Sequence, residues 1–170
     1  IQHRQLGTAD AVACARGDLV GFDGPVVVLF GDTPLILAAT ISRLADTVRA
    51  GADIVVLGFR PADPTGYGRV LVNSAGNVTA IREHADASPS ERAVGFCNSG
   101  VMAFRSPDLL FDLIGEVGTD NAKGEYYLTD VIAIAAGRGL AIEAAECPEV
   151  EVLGINTRAH QAQAEHALQT

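Results

Sequence analysis

Several short stretches of this sequence carry residue types that could do chemistry. Asp32 stands just past the continuous apolar run Pro25–Phe30 (PVVVLF). A carboxylate at the tip of a buried strand is a natural ligand for a hard cation carrying phosphate oxygens, although Asp32 before Pro34 also suits an ordinary turn. Gly7-Thr8 opens a helix-forming stretch, where backbone N–H groups can meet an anion or a base carbonyl. The same pair also reads as a plain N-cap. Gly66-Tyr67-Gly68-Arg69 is a glycine-flanked loop in which backbone can come close to a ligand, although on its own it reads more readily as a simple turn feeding a hairpin. Glu83 ends a strand-like run. Asn98 interrupts another, and a buried amide there needs a partner, from protein or ligand, because leaving it unsatisfied costs about 1–3 kcal/mol. Asn156 follows Gly154 at the entry to the last helical stretch, a place that also suits a turn or cap residue.

Other chemistries are disfavoured. His3, His84, His160 and His166 show no metal-ligand spacing and read as surface residues. Tyr126-Tyr127 could form a binding surface, but two adjacent tyrosines beside a helix start read more readily as core and rim packing. The sequence holds no G-x-S-x-G, P-loop or paired-cysteine pattern. Cys14, Cys97 and Cys147 are odd in number and far apart, so the expectation is three small buried hydrophobes in a reducing cytosol. The balance of 12 Lys and Arg against 21 Asp and Glu gives a net charge of −9, and Lys123 is the sole lysine. No basic stripe for nucleic acid appears, and adsorption to an anionic membrane is disfavoured. No run approaches the roughly 18 apolar residues of a spanning helix, and no secretory leader opens the chain, so the expected location is cytoplasmic.

These residues need elements to position them. With 170 residues, 48% of them apolar, the chain suits one domain or a large piece of one. It opens on Ile1 rather than methionine, which reads as a fragment without its true N-terminus. Thr8, Thr40 and Thr129 are placed to cap helices over Ala9–Arg16, from Thr40 to Gly51, and over Asp130–Gly137. Pro25–Phe30 suits a parallel strand buried on both faces, and Ile54–Phe59 a second such strand. Arg69–Asn73 and Asn77–Glu83 flank Ser74-Ala75-Gly76 as an antiparallel hairpin. Gly95–Phe104 reads as a strand, Pro107–Val117 as a helix and Ala141–Glu146 as a last short strand. Glu149–Asn156 reads as extended, with a terminal helix from Thr157 to Gln169. Alternating strands and helices with one inserted hairpin predict an α/β layer fold with a mostly parallel sheet.

Singly these signals are weak; their order along the chain is specific. Gln5-Leu6-Gly7-Thr8-Ala9, Phe30-Gly31-Asp32-Thr33-Pro34, Asp63–Arg69 (DPTGYGR), Ile81-Arg82-Glu83, Cys97-Asn98-Ser99-Gly100, Gly124–Asp130 (GEYYLTD) and Gly154-Ile155-Asn156 recur together. The set resembles the uridylyltransferase domain of the bacterial bifunctional N-acetylglucosamine-1-phosphate uridylyltransferases, over nearly the whole chain.

That resemblance implies a Rossmann-like nucleotide-diphospho-sugar transferase fold. It also implies a Mg²⁺-dependent reaction of UTP with N-acetylglucosamine 1-phosphate, giving UDP-N-acetylglucosamine and pyrophosphate. By motif, Asp32 and Asn156 would hold the metal and Gln2, Gly7 and Thr8 would contact uracil. Gly68, Glu83 and Asn98 would contact the amino sugar and its neighbouring ribose. Phe30 stands where the family often has tyrosine, so a hydroxyl contact there would be lost. The family's glycine-rich, basic triphosphate loop would precede Ile1, and its acetyltransferase half would follow Thr170. The 170-residue chain alone is therefore expected to have little activity, and the parent to be a homotrimer. Rival readings are another sugar-nucleotide or molybdopterin nucleotidyltransferase, or a non-catalytic nucleotide-sugar-binding remnant.

Overall fold

The computed structural model describes residues 2–155, 157, 158, 161, 162 and 165. The apolar runs form the middle of a six-stranded sheet: β1 (Val26–Val28), β2 (Ile54–Phe59), β3 (Arg69–Val72), β4 (Val78–Arg82), β5 (Cys97–Phe104) and β6 (Ile142–Glu146). The strand order is β4-β3-β5-β2-β6, with β1 paired to β5 beside this path. Every residue of β2 is buried, and alternation explains why. Ile54 and Val56 of β2, with Met102 and Phe104 of β5, face a cluster built with α4 (Pro107–Ile114) and α5 (Asp130–Gly137). Val55, Leu57, Val101 and Ala103 face the other way, against Leu44 and Val48 of α2 (Ala38–Arg49). A sheet covered by helices on both faces needs apolar side chains on both, hence unbroken apolar strands rather than alternating ones.

The expectation of a mostly parallel sheet is corrected. Among the described residues the one parallel pairing is β2 with β6; β5 is antiparallel to β1, β2 and β3, and β3 to β4. The chain enters β5 after the hairpin and a short helical segment, and this strand runs against all three strands it pairs with. The run at Pro25–Phe30 is accordingly a three-residue antiparallel strand, half-buried rather than buried on both faces. An apolar run reports burial, and direction comes only from pairing.

The three threonines expected to cap helices do other work. α1 (Thr8–Ala13) is preceded by Gly7, and the Thr8 hydroxyl accepts the Leu128 amide at 2.9 Å. α2 starts two residues before Thr40, whose hydroxyl donates to buried Glu151 at 2.6 Å. Thr129 precedes α5 in helical backbone geometry, with no side-chain cap, and its hydroxyl donates to Glu83 at 3.1 Å. Glu149–Val152 winds into a short 3-10 turn rather than an extended segment. Cys97 and Cys147 are buried as expected, whereas Cys14 is exposed. His84 is half-buried, not a surface residue, and its Nδ1 is enclosed. Most of the expected terminal helix lies outside the described residues, as does Asn156. Among the described residues no helix is long and apolar enough to cross a membrane.

Candidate functional site

An irregularity in the central strand opens the site. Met102 pairs with Val56 and Asn98 with Gly58, so Ser99, Gly100 and Val101 stand opposite the single residue Leu57. Side chains seal this bulge. The Ser99 hydroxyl donates to the Leu57 carbonyl at 2.6 Å and accepts the Val101 amide at 3.1 Å. Asn98 Oδ1 accepts the Gly100 amide at 3.1 Å. Gly100 has φ +86°, a conformation that favours glycine, and the Phe30 ring lies where its Cβ would be. Bulges bend a strand and re-aim its side chains; this one turns the polar Asn98–Gly100 segment toward a cleft.

The cleft has two lobes, of about 280 Å³ and about 400 Å³, which share Phe30, Gly66, Glu83 and Asn98. Asp32, Tyr67, Gly68 and Gly154 line the first lobe; Thr8, Lys123, Tyr127 and Thr129 line the second. Six of the sequence-predicted residues thus converge here: Thr8, Phe30, Asp32, Gly68, Glu83 and Asn98. Gln2 and Gly7 do not line either lobe. The Gln2 amide donates to the Gly7 carbonyl and to Asp10, at 3.2 and 2.7 Å. Gly7, at φ +127°, leaves room for the Tyr126 backbone, which a Cβ would meet at 2.4 Å. The amide of Ala9 donates to the Tyr126 carbonyl, so this helix start is occupied by the protein's own backbone. Of the residues flanking Asn156, Ile155 donates its amide to the Asp32 carbonyl at 2.8 Å.

Asp32 is exposed, in a turn closed by Thr33, whose hydroxyl and amide both donate to the Phe30 carbonyl. Its carboxylate has no hydrogen bond or ion pair to any described residue, and Asp32 lines the first lobe. Glu83 lies between the lobes. Burial pushes its carboxyl above the usual value, and the Thr129 hydroxyl and the Lys123 charge partly oppose this. Nearby Asp130 is likewise raised, chiefly by burial. Asp32, Glu83 and Glu125 outweigh Lys123 among the cleft's charged side chains, so polyphosphate would need added positive charge here. Among the described residues no group of three or more His, Cys, Asp or Glu could cage a metal. A lone carboxylate facing a cleft fits a Mg²⁺-like ion, which keeps several waters and binds through one or two carboxylates together with substrate phosphates.

Tyr67, Lys123, Tyr127 and Thr129 also line the cleft, and none of them was among the predicted site residues. The sequence signal lay in the two segments that supply them, Asp63–Arg69 and Gly124–Asp130 with its preceding Lys123, but nothing local distinguishes a lining side chain from a packed one.

The sequence is 50% identical over its full 170 residues to a bifunctional protein GlmU from Maricaulis maris. It is 51% identical over 171 residues to the one from Rhodospirillum rubrum, covering 99% of this chain. The chain spans 37% and 38% of the length of these relatives. The fold matches a nucleoside-diphosphate-sugar pyrophosphorylase from Vibrio cholerae with TM-score 0.69 and 18% identity, over 96% of this chain and 66% of that one. It matches a UDP-glucose pyrophosphorylase complexed with UDP-glucose with TM-score 0.70 and 15% identity, over 97% and 64% of the two chains. Residues 1–145 match the nucleotidyl transferase family, and the chain belongs to it.

Proposed function

We propose that the cleft is the nucleotide-sugar site of a uridylyltransferase that joins UTP and N-acetylglucosamine 1-phosphate. The convergence of Thr8, Phe30, Asp32, Gly68, Glu83 and Asn98 on one bulged-strand cleft carries this reading; the half-identical GlmU relatives support it, and the substrates are those the ordered sequence segments imply. In the reaction a sugar-phosphate oxygen attacks the α-phosphorus of UTP in line, and the bond to the departing pyrophosphate breaks. No covalent enzyme intermediate is required, so catalysis is positioning and charge neutralisation.

Asp32, with Asn156, would hold Mg²⁺, which when bound neutralises phosphate charge. Gly68 lines the cleft and would let backbone approach the ligand beside Glu83, whose carboxylate a Cβ there would meet at 3.4 Å. Glu83 and Asn98 present a carboxyl and an amide to the sugar and ribose hydroxyls. Gln2, Gly7 and Thr8 form the uracil end, Gln2 and Gly7 acting through the helix start they hold together. Phe30 offers a ring face without a hydroxyl. The chain is one partial nucleotidyltransferase domain of a cytoplasmic, homotrimeric protein whose other half acetylates glucosamine 1-phosphate.

Titration calorimetry tests the reading. The chain should bind UDP-N-acetylglucosamine, and bind GDP-mannose at least tenfold more weakly. Equal affinity for both, or binding of neither, would overturn it.

A further inference from the structure

Arg69 is the largest of the fully buried side chains, at 1% exposure, and forms no ion pair among the described residues. A guanidinium without a carboxylate partner is costly to bury, and an apolar residue of similar volume is often better tolerated. Its donors go to main-chain carbonyls. Nη1 donates to the Tyr67 carbonyl, and Nε and Nη2 both donate to the Arg92 carbonyl at 3.3 Å. Tyr67 lies in the Gly66–Gly68 segment that lines the cleft, and Arg92 ends the short helix α3 (Pro89–Arg92). The next carbonyl, of Gly68, accepts the Asn98 amide at 2.8 Å. The Tyr67 ring meets Phe59 edge-on at 4.9 Å, so the segment is held from a second side.

We propose that Arg69 is a positioning residue of the cleft. It clamps the Tyr67 carbonyl to the end of α3, and thereby sets the Gly66–Gly68 segment and Asn98 at the spacing the ligand meets. Arg69 itself, being buried, touches no ligand. This deepens the proposed function and rests on the cleft being the nucleotide-sugar site. A planar fork reaching two carbonyls is a task that lysine, a single flexible point donor, does not reproduce. An apolar side chain performs none of it and leaves both carbonyls without their donor.

The test uses the full chain with Arg69→Lys and Arg69→Met. Titration with UDP-N-acetylglucosamine should show affinity lowered about tenfold or more in both variants. In ligand-free protein, the amide resonances of Gly66, Gly68 and Asn98 should move, while those of β6 and α2 stay in place. Wild-type affinity in a folded Arg69→Lys variant would overturn the proposal. So would unfolding of both variants, which would make Arg69 a requirement of the fold rather than of the cleft. If the wild-type chain binds no nucleotide sugar, the proposed function fails, and the ligand-free resonances decide this proposal separately: unmoved cleft amides overturn it, selectively moved ones support it.

Discussion

Gly100→Ala probes the link between the bulge and the cleft. At φ +86° an alanine pays a backbone penalty of about 1–2 kcal/mol. Its Cβ would lie 2.4 Å from the Phe30 ring, and ordinary carbon contacts are about 3.5–4.0 Å, so the ring must move by about 1 Å. Phe30 is 37% exposed and stands between the two lobes, so it can yield at little steric cost, but only into space a ligand would use. The backbone term therefore dominates stability, and the ring displacement dominates binding. For a domain of this size the melting temperature should fall by about 2–8 °C. Affinity for UDP-N-acetylglucosamine should fall about tenfold or more. Calorimetric titration well below both melting points separates the effects. Adding Phe30→Ala should relieve the binding defect relative to Phe30→Ala alone but leave the melting-temperature loss, the signature of a pairwise coupling confined to the cleft. Wild-type affinity in Gly100→Ala would refute the placement of Phe30 as the wall between lobes.

Other outcomes follow from the same geometry. Asp32→Ala should leave stability within about 0.5 kcal/mol, since the side chain is exposed and has no partner among the described residues, yet abolish divalent-dependent turnover in the longer protein; retained turnover would contradict the metal role. Glu83 has its folded-state value raised by burial. Its ionisation therefore penalises the folded state: the penalty is absent below the ordinary carboxylate value and fully present above the raised one. Urea denaturation across that range should show the wild type losing stability relative to Glu83→Gln as pH rises, and parallel pH profiles would count against it. Burial pushes the Cys147 thiol up to about 11 and raises Cys97 as well, whereas Cys14 is exposed. A thiol reagent at pH 8 should thus modify Cys14 rapidly and the other two only on unfolding. Thr40→Val should cost about 1–3 kcal/mol by removing the hydroxyl donor of buried Glu151, read as a shift in the urea midpoint.

Much of the fold was legible because apolar runs and turn residues act locally. β2 spans Ile54–Phe59 and α5 spans Asp130–Gly137, as read from the sequence, and the hairpin brackets Ser74-Ala75-Gly76. The break at Asn98-Ser99-Gly100 was also visible as polarity inside an apolar strand. Its meaning was not, because a bulge is defined by the partner strand: only the register against β2 shows two residues too many opposite Leu57. Thr8, Thr40 and Thr129 show the same limit. Each sits where a cap would, but a hydroxyl takes whichever partner the fold brings near, and here those partners lie 120, 111 and 46 residues away.

What the sequence alone determined is therefore the inventory: which runs are buried, where the chain turns, and which ordered segments mark a nucleotidyl transferase. The tertiary structure decided strand direction, the union of Asp32, Glu83 and Asn98 around one cleft, and the burial of Arg69 behind it. Burial and turning depend on each residue's own neighbours in the chain. Pairing, enclosure and charge balance depend on residues far apart in it, and those are set only when the sheet closes its layers.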